Sequence, residues 1–182
     1  ARYSEMAAKK ANMAASSAEA FKHSLNRISC LEHIPPSDSA KKQIIDARAA
    51  LAAYYINYAH IAEAYEIIAP IADITEKIEY KKRLPIIYTT LGVYATAYEE
   101  DFPKSYKYLN ASLKISKETQ NPISAYLTLW NLGLHYSWDC QFEKGEGYFK
   151  TCFEMSSSAN NLLGMSASKS ILSVWNFLHQ GR

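Results

Sequence analysis

The sequence predicts an all-α fold: antiparallel helix pairs stacked side by side into a right-handed superhelix, an α-solenoid. Three observations predict it. Apolar residues recur at helical spacing almost throughout the 182 residues, with no strand alternation and no hairpin signal. Two stretches repeat one pattern: Leu91-Gly92 … Tyr98 … Phe102 … Ser105 … Leu109 … Ser112, and Leu132-Gly133 … Tyr136 … Phe142 … Gly145 … Phe149 … Cys152, with Gly92 and Gly133 41 residues apart. The same step reaches Val174, and a step of 40 back reaches Ala52. A period of this size belongs to an array in which each unit buries its apolar faces only against its neighbours. The expected organisation is one helical-repeat domain over residues 1–182, about four and a half repeats of 40–44 residues.

The elements follow in order. The first pair reads as about 2–14 and 17–33, the second helix capped by Ser16 or Ser17. Pro35-Pro36 break the chain, and Ser37 or Asp38 opens a helix over about 38–58. Its partner runs over about 61–77, where Pro70 should kink it or end it early. Pro85 is tolerated only in a first turn, which predicts a break near Leu84 and a helix to about Glu99. Asp101-Phe102-Pro103 reads as a turn into a helix over about 103–119. Asn121-Pro122 caps and starts the next, over about 122–138. Helices over about 142–157 and 162–179 complete the chain, with Gly181 ending the last. Small residues at Ala52, Gly92 and Gly133 should let the two helices of a pair approach closely. Large ones at Ile68, Leu109 and Phe149 should fill the space between pairs.

Composition narrows the function. Hydrophobic residues make up 48% and glycine and proline number six each, as in a folded, helix-rich chain rather than a disordered one. The net charge of +2 is spread along the sequence, with no basic stripe for nucleic acid. No run of about 18 apolar residues is present, so no membrane span is expected. Three cysteines, Cys30, Cys140 and Cys152, form no CxxC and suit a reducing cytoplasm. The five histidines make no HExxH and no ligand-spaced set, so neither a metal nor a cofactor is expected. His135 with Cys140 reads as a surface or interface histidine beside a small packing residue rather than a base–nucleophile pair. The chain starts without Met inside a helix-like stretch and ends where a further helix is expected, which reads as a fragment of a longer chain.

The Leu-Gly dipeptides, the aromatic that follows, and the small–aromatic–small series on the second helix resemble a tetratricopeptide repeat, whose usual period is about 34. The longer period and the runs Glu99-Glu100-Asp101-Phe102-Pro103-Lys104, Asp139-Cys140-Gln141-Phe142-Glu143-Lys144 and Ala159-Asn160-Asn161-Leu162-Leu163-Gly164 are similar to the helical-repeat region of large bacterial signalling ATPases. That resemblance implies a non-enzymatic regulatory repeat domain beside NTPase, cyclase or kinase modules. None of those modules' motifs occurs in this sequence.

On the repeat register, the first helix of each pair lines the concave face. Thr89, Val93 and Thr96 project there, followed by Trp130, Asn131, Leu134 and Trp138, then Trp175 and His179. Tryptophans at these positions serve either as binding anchors or as packing between helices. The tryptophans are expected to form one aromatic wall, with Asn131 and His179 supplying polar contacts. The expected partner is a protein or peptide, including other domains of the same full-length chain. The alternative is a small-ligand sensor that uses the same surface as a pocket.

Overall fold

The computed structural model describes the backbone of residues 1–180 and side chains as far as Val174. Among the described residues there are nine helices and no strand: α1 (Arg2–Met13), α2 (Ser17–Glu32), α3 (Asp38–Asn57), α4 (Ile61–Lys77), α5 (Leu84–Glu99), α6 (Phe102–Glu118), α7 (Pro122–Trp138), α8 (Phe142–Ser158) and α9 (Leu162–Gln180). Each helix packs against the next in sequence. In addition, α3 packs on α5 and α5 on α7, while α4, α6 and α8 make no comparable contact with one another. Helices α3, α5 and α7 therefore form a tight inner layer and α4, α6 and α8 fan outward, as in a helical-repeat solenoid. The helices from α3 to α8 are 16 to 20 residues long, and that length accounts for the long period.

Local chemistry fixes most helix starts. Ser37 Oγ accepts from the Ala40 amide at 3.0 Å, Asp101 Oδ1 from Lys104 at 2.9 Å, and Asn121 Oδ1 from Ser124 at 3.0 Å. Pro85, Pro103 and Pro122 all sit in first turns, where a missing N–H removes no helix bond. Helix ends other than that of α2 follow one device among the described residues. Ala15, Ala59, Glu79, Glu100, Gln120, Cys140 and Asn160 all have φ between 50° and 61°. In six of these turns the next residue's amide returns five residues: Ser16 to Ala11, His60 to Tyr55, Tyr80 to Thr75, Asn121 to Ser116, Gln141 to Tyr136 and Asn161 to Ser156. This is a Schellman ending made without glycine. It serves both the turn within a pair and the turn between pairs, so the left-handed residues from Ala59 onward recur every 20 or 21 positions.

The outward helices bury one stripe each: Ala64, Ile68, Ile71 and Thr75; Ser105, Leu109, Ser112 and Ser116; Gly145, Phe149, Cys152 and Ser156. The spacing of four, three and four keeps each set on one helical face. Three expectations change here. Leu109 and Phe149 do not serve only the space between pairs. They seat on Gly92 and Gly133 of their own pair, where a Cβ would stand 2.9 Å and 2.7 Å from them. Nor does Pro70 end its helix; α4 runs unbroken to Lys77 with Pro70 inside it. Pro70 and Glu66 are both exposed, so water can satisfy the Glu66 carbonyl left without an N–H. Cys140 is also not a packing residue: it is exposed and supplies a left-handed turn, whereas Cys152 is buried. The expected stop at Gly181 lies outside the described residues.

Candidate functional site: the inner face of the odd-numbered helices

Three consecutive inner helices enclose a cavity of about 210 Å³. Ala53, Ile56 and Asn57 reach it from α3, Ile86 and Thr89 from α5, and Leu127, Trp130, Asn131 and Leu134 from α7. Steps of three and four place these side chains on the facing stripe of each helix. The walls are mostly apolar, with Asn57, Thr89 and Asn131 as the polar groups.

Trp130, Asn131 and Leu134 are thus brought together as expected neighbours on one wall. Trp130 is half-buried and also stands edge-on to Phe149 at 5.4 Å between ring centroids, so it packs its own pair while lining the cavity. Asn131 is buried and its Nδ2 donates to the Leu127 carbonyl at 2.8 Å, which fixes the amide against its own helix. Trp138 is not part of this wall. It is the last residue of α7, 52% exposed, and eight residues beyond Trp130, about 80° further round the helix. The side chains of Trp175 and His179 lie outside the described residues; of the expected aromatic wall, Trp130 lines the cavity and Trp138 does not.

Thr89, Val93 and Thr96 do not project to open solvent; all three are buried. The two threonines belong to a polar arrangement that pins α5, α6 and α7 together. Thr89 Oγ1 lies 3.0 Å from Ser112 Oγ and 3.2 Å from Thr128 Oγ1, and Ser112 Oγ lies 2.8 Å from Thr128 Oγ1. Seven residues further along each parallel helix, and seven back along antiparallel α6, the motif returns. Thr96 Oγ1 is 2.8 Å and Ser105 Oγ 2.7 Å from His135 Nδ1. His135 is fully buried, and its Nε2 has no hydrogen-bond partner. An imidazolium there would have a buried, unanswered N–H, and burial lowers the His135 pKa to about 4. His135 is therefore a neutral joint between repeats. The signal for the arrangement lay in the paired seven-residue spacings 89/96, 105/112 and 128/135.

The cysteines and tyrosines show the same structural character. Burial pushes the Cys152 thiol up to about 12, which keeps it protonated. Tyr106 donates to Asp139 Oδ2 at 2.9 Å across the α6–α7 joint, and its pKa is raised by burial first and by that carboxylate second. Among the described residues no three His, Cys, Asp or Glu side chains gather as a metal site, and no helix is long and apolar enough to cross a membrane. Compared with protein-family models and with curated proteins, the chain matches none.

Proposed function

We propose that this chain is a non-catalytic scaffold that holds an extended, largely apolar segment of protein along the inner face of α3, α5 and α7. The observation that carries the reading is the cavity walled by three successive inner helices, with Ile56, Ile86, Leu127, Trp130 and Leu134 around it. A half-buried tryptophan braced by Phe149 is a rigid wall against which a partner side chain can bury apolar area at little entropic cost. The volume of about 210 Å³ falls below the roughly 300–1,000 Å³ of pockets that enclose a whole small molecule, and suits an anchoring side chain. This favours a peptide over the alternative, a sensor whose effector rests on the same aromatic surface. In keeping with the sequence resemblance, the scaffold is a regulatory repeat domain of a larger bacterial signalling protein acting in the cytoplasm. Its partner is a separate protein or another domain of the same full-length chain, and nucleic acid and membrane are not partners. The protonated Cys152 and neutral, buried His135 support a non-enzymatic reading, since neither is placed as a nucleophile or base.

Selection of a random peptide library on the immobilised protein tests this. Enriched peptides should carry apolar or aromatic residues and should lose binding to a Leu134→Glu variant of unchanged helicity. Absence of enrichment, or peptides that bind Leu134→Glu equally well, would remove the reading.

A further inference from the structure

A second cavity, of about 480 Å³, opens between α1, α2, α3 and the start of α5. Its chemistry differs from that of the apolar cavity. Lys9, Arg27, Lys82 and Arg83 line it against Glu5 and Asp46, a local excess of two positive charges. The whole chain has a formal net charge of +2, from 20 cationic and 18 anionic residues, so the other sixteen of each sign balance. The chain's excess charge is thus concentrated at one cavity.

Part of this set is structural. Arg27 Nη2 and Lys9 Nζ share Glu5, each at 2.9 Å, and Arg83 Nε meets Asp46 Oδ1 at 2.5 Å. Tyr80 also donates to Asp46 Oδ1, at 3.1 Å. Those pairs tie α1 to α2 and α3 to the start of α5. They do not account for Lys82, which has no carboxylate partner among the described residues, nor for one carboxylate divided between two cations. Nor do they account for the volume. The walls carry Ala8, Ala47 and Ala50, with Tyr54 beside them. Ala8 and Ala47 are buried between the helices, so the partly exposed Ala50 and Tyr54 supply an apolar strip beside the charges that no ion-pair lattice needs.

We propose that this cavity binds a small organic phosphate monoester. Its dianion matches the excess of two charges and is held by Lys82 and Arg27, whose side chain is only 15% exposed. Its organic part lies on Ala50 against Tyr54. The volume lies within the range that encloses a small molecule and exceeds what a free phosphate requires. This site is separate from the apolar cavity and does not depend on the peptide reading.

Titration calorimetry with phenyl phosphate as probe decides the matter. Phenyl phosphate should bind the intact chain at one site and more tightly than inorganic phosphate. Lys82→Ala should weaken that binding about tenfold, and Arg27→Gln at least as much. Lys144→Ala, a change of equal charge on α8, should leave it unaltered. Lys82 is exposed and makes no ion pair among the described residues, so its loss leaves the fold intact even if Arg27→Gln does not. Absence of binding, equal binding of inorganic phosphate, an unaffected Lys82→Ala variant, or equal loss in Lys144→Ala would each overturn the proposal.

Discussion

The ring of Phe149 occupies the place where a side chain on Gly133 would begin: a Cβ there would stand 2.7 Å from Cε1 and 2.9 Å from Cζ. The pair Gly92 and Leu109 repeats the relationship one unit earlier, at 2.9 Å from Leu109 Cγ. These two pairs of helices are thus each closed by a large residue seated on a glycine, and the helix-propensity cost of that glycine, up to about 1 kcal/mol, is offset by the packing.

Gly133→Leu should therefore destabilise the fold by about 1–3 kcal/mol, because the Phe149 ring and the α7 backbone have to separate. Gly147 on α8 has nothing within 4 Å of its missing Cβ. Gly147→Ala should stabilise by roughly 0.5–1 kcal/mol through helix propensity alone. Urea denaturation of both variants checks the pair. Effects of the same sign would show that helix propensity, and not close approach, governs Gly133.

Helix starts were legible in the sequence because their chemistry is local. Ser37, Asp101 and Asn121 announce themselves as caps, and the first-turn prolines confirm the register. Helix ends were less so, because the left-handed residues Ala59, Glu79 and Gln120 are types that carry no such signal. The inner face was misread for a different reason. The period taken from Gly92 and Gly133 is 41, whereas residues that touch across α5 and α7 differ by 39, as Thr89 with Thr128 and Thr96 with His135 do. A two-residue stagger between neighbouring helices is a tertiary fact, and it buries Thr89 and Thr96 in a joint between helices, with Thr89 still lining the inner cavity. Of the expected wall, Trp130, Asn131 and Leu134 share a cavity because they lie within one turn of helix. Trp138, two turns on, has rotated away from it.

Pro70 offers a test of how α4 tolerates an interior proline. The structure keeps the helix continuous with both Pro70 and Glu66 exposed. Pro70→Ala restores the missing N–H to the Glu66 carbonyl and should raise stability, by up to about 3 kcal/mol. An unchanged or lower melting temperature would mean that Pro70 is needed for the shape of α4 against its neighbours.

The hydroxyl cluster at Thr89, Ser112 and Thr128 should respond to loss of any member. Ser112 is placed to donate to the Pro85 carbonyl at 2.8 Å and Thr128 to that of Ser124 at 2.8 Å, which leaves Thr89 to donate within the triangle. Thr89→Val keeps the shape but removes that proton, so a buried hydroxyl oxygen of Ser112 or Thr128 loses its donor. The expected cost is about 1–2 kcal/mol in chemical denaturation. A neutral result would show that Ser112 and Thr128 satisfy each other.

His135 makes the stability of the array depend on pH in a defined window. Its folded-state pKa of about 4 lies below the ordinary value of 6.5, because burial disfavours the imidazolium. Above pH 6.5 the ring is neutral in both the folded and unfolded chain and contributes no pH dependence. Between pH 6.5 and 4 the unfolded chain takes up a proton that the folded chain refuses, so stability falls as the pH falls. The loss approaches about 3 kcal/mol by pH 4, below which both states are protonated and the slope vanishes. His135→Gln retains a polar side chain for Thr96 and Ser105 and cannot titrate. Urea midpoints at several pH values should fall through this window for the native chain and stay flatter for His135→Gln. Carboxylates such as Glu5, lowered first by its bond to Lys9, lose their contribution as they protonate, at the acid end of the range. The difference between the two proteins isolates the histidine from that background. Equal slopes for both would mean that His135 is reached by water and charges freely in the folded chain.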